Sequence, residues 1–508
     1  MRQLGMTVLR VSRLIMLLVL VDAVCLAQQD GDDIVLGKYR TLHSRILNEK
    51  RLLFVHLPRF YDDTQLRYPV LYVLYVDLYD YFMDAVATAE RLGGTGETPP
   101  MIVIGVANTN RYRDLLPFKT TTRPESGGAG TFLRFLEEEL IPFVDTTYRT
   151  KPFRILAGPQ AAAVFSLYAL ISKPGLFNAY ISENPFMNPE NAELLYPRAE
   201  QFLRKTGSLK QVLYIRCEKN ERPQSLEYAE RFAKLLHSES PEGFCSKVEF
   251  SEPSGYFIPP LPFRDGLRMI FAGHKLPANF QTNTLKDILD YYEHTSEELG
   301  FKIDPPEHML TFEGNSLRQR GKRSEAIEVF EYQRRLYPTS LNALFQLGEL
   351  NRSTGEFERA RDCYRQFLEI RDTDAALIRS RLNHMRKMLD SSAAYRIEQE
   401  IRQNGTQAGL KKYHQLRSDA GKPFYFDESE FNAMGYRLME NGNMESALEI
   451  FKLNVQLNPK SANVYDSLGE VYLKIGDNDN ATKNYKKSLE LSPQNNNARE
   501  MLKRLEKK

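Results

Sequence analysis

The apolar residues of the chain follow two different periods, one before about residue 278 and the other after about residue 307. In the first part, short apolar runs alternate with stretches of helical pattern. The apolar runs are 51–58, 68–74, 101–106, 154–158 and 212–217, and the helical stretches include 131–141 and 161–171. Runs that are apolar throughout are typical of strands buried on both faces of a parallel sheet. The pattern therefore predicts an α/β domain with a mostly parallel sheet over residues 28–278.

From about residue 307 the pattern changes to pairs of helices, and a set of four positions recurs every 34 residues. The four sets are Gly314, Ala326, Phe330 and Pro338; Gly348, Ala360, Tyr364 and Asp372; Gly435, Ala447, Phe451 and Pro459; and Gly469, Ala481, Tyr485 and Pro493. This register resembles that of tetratricopeptide repeats, which stack helix pairs into an all-α superhelix. We expect glycine and alanine where helices meet, the aromatic residue against the next unit, and proline after the second helix.

The repeats divide the second half of the chain into segments. We predict a helical linker over 279–306, a repeat pair over 307–374, and a second repeat pair with a C-terminal helix over 428–508. The segment 375–427 lacks the full set of recurring residues. It is interpreted as irregular helices that separate or bridge the two pairs.

Five markers spread over about 240 residues of the first half carry a family resemblance. They are SRILNEKR at 44–51, VHLP at 55–58, YPVLY at 68–72, RDLLP at 113–117 and DGLR at 265–268. Together they resemble the esterase family of α/β-hydrolases that includes esterase D and the enterochelin esterases. The resemblance implies an α/β-hydrolase domain, a serine–histidine–acid triad and carboxylic-ester hydrolysis.

The resemblance breaks at the nucleophile. The family places Gly-His-Ser-x-Gly-Gly at a sharp turn after an apolar strand. Here GPQAAA at 158–163 follows the strand 154–157, so Gln160 stands where the family has serine. A carboxamide has no ionisable proton to give to a base and is not a nucleophile at neutral pH. The resemblance therefore predicts an elbow without its attacking atom.

The other two triad positions are also altered or uncertain. Gly255 falls where the family has its general-base histidine. Glu218 and Glu221 are candidates for the acid, although a solvated loop charge is the simpler interpretation of either. Ser166, His237 and His274 do not form a replacement triad in the sequence pattern, since Ser166 is expected to be packed and the histidines to be surface residues.

Backbone groups of an oxyanion hole survive any change of side chain. By the resemblance, these groups belong to Ala161 and to the Tyr75–Val76 region, and Ser182 lines the pocket without attacking. Tyr75 replaces the aspartate of the family's Leu-Asp-Gly turn, which changes the shape expected of the pocket. The sequence thus predicts a residual polar pocket with a degenerate triad.

The N-terminal residues 1–27 are predicted to be a secretory signal. Arg2, Arg10 and Arg13 precede or flank an apolar run at 14–21, and small residues at Cys25 and Ala27 precede a polar stretch. The run is short for a spanning helix, so a membrane anchor is the alternative only if the signal is not cleaved. The expected location is secreted or periplasmic, where Cys217 and Cys245 are candidates for a disulfide.

The charge balance and the missing motifs give no reason to expect several classes of partner and cofactor. Lys and Arg total 68 and Asp and Glu total 66, so a net charge of +2 gives no reason to expect nucleic acid as a partner. The sequence has no Gly-rich phosphate loop, no Cys-x-x-Cys pair and no His-x-x-x-His pair, so neither a cofactor nor a metal is expected.

The favoured interpretation is a pseudoenzyme: an esterase-like domain joined to tetratricopeptide repeats that bind a protein or peptide through their concave surface. One alternative is an active carboxylic-ester hydrolase with a displaced nucleophile. Another is a module that binds a small molecule or glycan in the old pocket.

Overall fold

The computed structural model describes residues 35–76, 79–185, 189–219, 223–252, 261–277, 280, 282–370, 376–419 and 424–505. The predicted signal, Glu221 and Gly255 lie outside these ranges. Within them, no helix has both the length and the apolar character needed to cross a membrane. The chain divides into two compact units, one that ends at Ser340 and one that begins at Leu341.

The first unit is built on an eight-stranded sheet in the order β1-β2-β4-β3-β5-β6-β7-β8. The strands β1 and β2 pair antiparallel, as do β2 and β4, and every other pair is parallel. The prediction of a mostly parallel sheet is confirmed. The strands are β1 (Lys38–Ser44), β2 (Glu49–His56), β3 (Tyr68–Leu74), β4 (Ile102–Val106), β5 (Thr150–Pro159), β6 (Ala179–Glu183), β7 (Val212–Glu218) and β8 (Cys245–Ser251).

Helices connect the strands and cover the sheet. All residues of β3, β4 and β6 are buried, as expected for strands covered on both faces. The helices of the first unit are α1 (Tyr79–Gly94), α2 (Arg111–Leu115), α3 (Ala129–Phe135), α4 (Ile141–Thr147), α5 (Ala161–Ser172), α6 (Pro189–Lys205), α7 (Pro223–Glu239), α8 (Leu261–Ile270), α9 (Leu285–Leu299), α10 (Glu307–Gln319) and α11 (Arg323–Leu336). A π-helical turn, Leu136–Leu140, joins α3 to α4.

The helices α9, α10 and α11 belong to the same compact unit as the sheet. Phe153 on β5 lies 4.7 Å from the Phe301 ring and 5.5 Å from the Phe271 ring, measured between centroids. Lys151 forms an ion pair of 3.2 Å with Asp304. The unit therefore extends beyond the sequence boundary at 278 and includes the first helix pair of the repeats.

The second unit is all helical. Its helices are α12 (Leu341–Thr354), α13 (Phe357–Ile370), α14 (Ala376–Ser391), α15 (Ala393–Asn404), α16 (Thr406–Ser418), α17 (Glu428–Glu440), α18 (Met444–Leu457), α19 (Ala462–Lys474), α20 (Asn478–Leu491) and α21 (Asn496–Leu505). The helices α14, α15 and α16 fill the irregular segment, and α15 and α16 share a core with α17 and α18. Glu398 and Arg437 link α15 to α17 through a buried ion pair, with Nε 3.0 Å from Oε1. The segment therefore bridges the repeats.

The recurring glycines make room for aromatic rings. A Cβ atom placed on Gly314, Gly435 or Gly469 would lie 2.7, 2.6 or 3.0 Å from Phe330, Phe451 or Tyr485, and one on Gly348 would overlap Tyr364. Each ring covers the glycine of its own repeat, and Tyr364, Phe451 and Tyr485 also share a core with residues of the helix that follows their repeat, as expected. The recurring alanines Ala326, Ala360, Ala447 and Ala481 are fully buried, as their predicted position between helices requires.

The predicted disulfide candidates do not meet. In the register of β7 and β8, Cys217 pairs with Phe250 and Cys245 pairs with Val212. An offset of five residues along a strand separates the two Cα atoms by about 16 Å, whereas a disulfide needs roughly 4.4–6.8 Å. Cys217 is buried and Cys245 is exposed, and no disulfide joins them.

Candidate functional site at the strand-to-helix turn

Gln160 is the single residue between β5 and α5. Its φ of 53° and ψ of −115° lie in a region that side chains other than glycine rarely adopt. Its backbone N–H donates to the Glu183 carbonyl oxygen at 2.8 Å, and its carbonyl oxygen accepts from Val164 N–H at 3.0 Å. The sheet on one side and the helix on the other thus hold the strained turn, which is the geometry of a nucleophile elbow.

Small residues allow this turn to close. A Cβ atom on Gly158 would overlap the Ala162 side chain and would lie 3.4 Å from the Leu74 carbonyl oxygen. Ala162 and Ala163 in the first turn of α5 are fully buried. The close approach of strand and helix therefore depends on a glycine before the apex and on alanines after it.

The Gln160 carboxamide is held in place by a side chain from the end of β3. The Tyr75 hydroxyl donates to Gln160 Oε1 at 3.2 Å. Tyr75 is 5% exposed and also has a positive φ, 71°. The Arg111 guanidinium carbon lies 4.8 Å from the Tyr75 ring centre, within the range of a cation–π contact. The Gln160 side chain at the apex is therefore an amide that the Tyr75 hydroxyl holds in place. It has no hydroxyl or thiol group that could attack an ester.

The structure brings the predicted oxyanion-hole residues to this turn. Val76 follows Tyr75 and is fully buried, and Ala161 is the first residue of α5 and is also buried. The first N–H groups of a helix have no partner within the helix. Tyr75, Val76, Gln160 and Ala161 therefore lie at one edge of the sheet, and the residual pocket there stays a prediction.

Two buried polar side chains end the next strand, β6. Ser182 is fully buried, and its hydroxyl makes no hydrogen bond within the described residues. Glu183 is 2% exposed, and burial raises the pKa of its carboxyl from 4.5 to about 8. The negative charges of Glu218 and Asp84 raise the same pKa, and Arg216 opposes them. Glu183 is therefore mostly protonated at neutral pH. Glu183 was not among the predicted site residues, although a carboxylate directly after the mostly apolar run Ala-Tyr-Ile-Ser indicates a polar group at the end of a buried strand.

Glu218, the candidate acid, ends β7. It is 9% exposed, so the interpretation of a solvated loop charge was wrong for this residue. Its backbone N–H donates to Asn184 Oδ1 at 2.9 Å, and Asn184 has a φ of 51°. The carboxyl ends of β5, β6 and β7 thus bring Gln160, Glu183 and Glu218 to the same edge of the sheet.

The residues considered as replacements have other roles. Ser166 is buried in α5 and donates to the Ala162 carbonyl oxygen at 3.0 Å, which agrees with a packed serine. His274 is fully buried, so its interpretation as a surface residue was wrong. Its Nδ1 lies 3.0 Å from the Gly96 carbonyl oxygen, and burial lowers its pKa to about 4. Neither residue supplies an activated nucleophile or base at the elbow.

Comparisons with known proteins agree with this architecture. A family model described as "Putative esterase" matches residues 44–230, and two tetratricopeptide repeat models match residues 313–375 and 462–495. The chain carries an esterase-family domain followed by tetratricopeptide repeats.

Two curated relatives of the esterase-family domain come from Bacillus subtilis (strain 168). The uncharacterized protein YjcH is 30% identical over 150 residues, which are 28% of this chain and 60% of YjcH. The ferri-bacillibactin esterase BesA is 26% identical over 232 residues, which are 41% of this chain and 79% of BesA. The chain thus spans less than two thirds of the length of YjcH.

A solved structure, an IroE-like serine hydrolase from Shewanella oneidensis, has a TM-score of 0.50 and 25% identity to this chain. The match covers 58% of this chain and 98% of that one. That protein is described as a serine hydrolase, whereas Gln160 stands at the apex of the esterase-family domain here.

Proposed function

We propose that the esterase-family domain does not hydrolyse esters through its elbow, and that the protein is a secreted or periplasmic scaffold whose repeats bind a protein or peptide. The observation that carries this proposal is the conformation of Gln160. The residue occupies the strained apex of the elbow, and its carboxamide accepts a hydrogen bond from Tyr75. An amide at this position cannot form an acyl-enzyme by the route that serine uses.

The backbone N–H donors of an oxyanion hole do not by themselves replace the nucleophilic attack that Gln160 cannot make. An oxyanion hole stabilises the charge that develops on a carbonyl oxygen after attack. Two serines near this edge are poor candidates for the nucleophile. Ser166 is hydrogen bonded within its helix, and Ser182 is fully buried. The site is therefore better suited to binding than to acyl transfer.

The repeats support the binding role. The Tyr436 hydroxyl on α17 donates to Glu470 Oε2 at 3.1 Å and lies 3.2 Å from Ser467 Oγ, both on α19. These contacts join the first helices of two successive repeats. Stacked helix pairs of this kind bind partners through extended concave surfaces.

A second candidate function is the binding of a small molecule in the old pocket. It is favoured by the hydroxyls of Ser182 and Tyr81 and by Glu183 Oε2, which are buried without a hydrogen-bond partner in the part of the chain that the structure describes. Such atoms are destabilising unless something satisfies them. An active hydrolase with a displaced nucleophile is the remaining alternative.

Labelling with a fluorophosphonate probe separates these functions from catalysis. The full chain is incubated with the probe beside an active serine hydrolase, and modified peptides are identified by mass spectrometry. We expect no adduct on any serine of the native protein. A stoichiometric adduct on Ser166, Ser182 or another serine, lost on denaturation, would establish an activated nucleophile and overturn the proposal.

A further inference from the structure

A cavity of about 190 Å³ lies at the opposite edge of the sheet from Gln160. Its wall includes Tyr68 at the beginning of β3, Lys151 near the beginning of β5 and Gly94 at the end of α1. His308 in the first turn of α10 closes another side. All of these residues belong to the first compact unit, so the cavity is built where the repeat helices pack against the sheet.

The size and walls of the cavity suit one apolar ring. A cavity of roughly 150 Å³ lined by apolar side chains is large enough to hold benzene, so about 190 Å³ holds a ring with one small substituent. Three aromatic residues and four prolines supply apolar wall: Phe60, Tyr68, Tyr337, Pro69, Pro99, Pro100 and Pro306. The body of the ligand should therefore be compact and apolar.

The carboxylates in the wall already have partners within the protein. They are Glu90, which lies 3.0 Å from His56 Nε2; Asp304, which lies 3.2 Å from Lys151 Nζ and 3.3 Å from Lys302 Nζ; and Glu307, which accepts from Ser340 Oγ at 2.6 Å and from Gln333 Nε2 at 3.0 Å. Their charges are compensated or hydrogen bonded. A positively charged ligand therefore gains little from them.

The arginines in the cavity wall have no oppositely charged partner among the described residues. Arg59 and Arg67 are exposed, and neither forms an ion pair with a carboxylate of the described residues. The Arg59 guanidinium lies 4.8 Å from the Phe60 ring centre, and Arg67 Nη1 donates only to the Thr150 carbonyl oxygen, at 3.4 Å. Guanidinium groups bind carboxylates through charge-assisted, often bidentate hydrogen bonds. The wall thus offers two cations for an anionic head group.

Two further polar groups face the same space. The Lys151 side chain is 10% exposed, and burial lowers its pKa although Asp304 opposes the shift. His308 has a pKa lowered by burial, and its Nε2 is buried without a hydrogen-bond partner among the residues that the structure describes. A ligand carboxylate oxygen is the kind of group that would accept a hydrogen bond from the Lys151 ammonium.

We propose that this cavity binds a small organic acid, with one carboxylate held by Arg59 and Arg67 and one apolar ring in the aromatic and proline wall. The acid is either a free molecule or the C-terminal residue of a peptide, since both present a carboxylate on a compact apolar group. The site is separate from the elbow and does not depend on the function proposed for it.

Calorimetry of phenylacetate with the purified full chain tests the charge requirement. We expect saturable binding of phenylacetate, and binding at least about tenfold weaker for phenylacetamide, because removing one charge-assisted contact typically costs more than 1.4 kcal/mol. The double variant Arg59→Gln/Arg67→Gln should lose at least about tenfold in affinity for phenylacetate. The matched variant Arg40→Gln, which removes an exposed arginine outside the cavity wall, should bind as the native protein does.

A pair of glycine variants tests the location. Gly94 lies in the cavity wall, and exposed Gly175 lies outside it. A Cβ atom added at either position meets nothing within 4 Å, so both sites tolerate a side chain. Gly94→Leu should fill the cavity and abolish binding, and Gly175→Leu should leave it unchanged. Thermal unfolding of both variants confirms that the fold is intact.

Peptides separate the two sources of the acid. A tripeptide that ends in phenylalanine is compared with its C-terminal amide and with phenylacetate. Tighter binding of the peptide acid assigns the site to a chain terminus, and tighter binding of phenylacetate assigns it to a free acid. The proposal is overturned if phenylacetate and the peptide acid both fail to bind, or if binding survives Gly94→Leu and the double arginine variant. Loss of binding in Gln160→Ala alone would place the ligand at the elbow instead.

Discussion

The Tyr75 hydroxyl donates to Gln160 Oε1 across 3.2 Å, and both residues have positive φ angles, 71° and 53°. They follow the neighbouring parallel strands β3 and β5, in which Val73 pairs with Ala157. Residues in such sparsely populated backbone regions typically cost about 1–3 kcal/mol each and persist only where the surrounding structure imposes them. The esterase-family domain thus retains the strained shape of an elbow with an amide at its apex.

The backbone strain at Gln160 predicts an unusual order of stabilities. Gln160→Ala and Gln160→Gly both remove the amide, but only glycine adopts a φ of 53° and ψ of −115° without steric cost. We expect the glycine variant to be more stable than the alanine variant by about 1–2 kcal/mol in urea denaturation. At exposed Gln415 in α16 the order should reverse by about 1 kcal/mol, because alanine is favoured within a helix. The same order at both positions would contradict strain at the elbow.

The buried Glu183 carboxyl predicts a pH dependence of stability. Below about pH 4.5 it is protonated in both the folded and the unfolded state. Between 4.5 and about 8 only the unfolded state ionises, so the free energy of unfolding falls as pH rises, and the loss levels off above about 8. The full loss is up to about 5 kcal/mol, because each unit of difference between the folded and unfolded pKa corresponds to about 1.36 kcal/mol. Glu183→Gln should match the native protein at pH 4.5 and exceed its stability at pH 8.

Glu125→Gln serves as the control for this titration, because Glu125 is exposed. Its unfolding free energy should follow that of the native protein from pH 4.5 to 8. If Glu183→Gln retained the native slope as well, the dependence would have to come from other groups.

The helix packing of the repeats predicts which alanine can be replaced by phenylalanine without loss of stability. Ala447 on α18 is fully buried, and Ala433 on the preceding α17 is exposed. Ala447→Phe should lower the free energy of unfolding by about 1–3 kcal/mol through overpacking. Helicity by circular dichroism and capture of partners from an envelope extract should fall together. Ala433→Phe should change helicity little. Undiminished capture by a protein whose repeats had lost helicity would remove the repeats as the binding surface.

Partial restoration of the triad tests how far the site has diverged. Gln160→Ser/Gly255→His returns the two residue types that the family uses. We expect only weak ester hydrolysis, because Pro159, Ala162 and Ala163 also depart from the elbow motif and a misplacement near 1 Å costs about 10²-fold. Gln160→Ala/Gly255→His supplies the control without a nucleophile. Turnover at the level of an active family member would show that the pocket had never been altered.

The sequence predicted the parts of this structure that depend on local pattern. Fully apolar runs identified β3 and β4, because strands covered on both faces leave no place for polar residues. The 34-residue period located the repeats, because each unit packs mainly against its neighbours. Gln160 was placed at the turn because an apolar strand and a helix flank it on both sides.

Contacts between distant residues were not predictable in the same way. Tyr75 and Gln160 are 85 positions apart, and their hydrogen bond follows from the parallel pairing of β3 and β5. The burial of Glu183 and Glu218 depends on which elements cover the ends of β6 and β7. The aromatic residue of each repeat fits the interface of its own unit or of the next one equally well by pattern, and only the structure shows that it covers its own glycine.

The most direct test of the absence of elbow chemistry is the steady-state hydrolysis of p-nitrophenyl butyrate by the purified native protein. Catalysis above solvent requires a positioned nucleophile and base. We expect a rate equal to that of the heat-denatured protein, linear in substrate concentration and unaffected by a serine-directed phosphonate. Saturable turnover that the phosphonate abolishes would contradict this expectation.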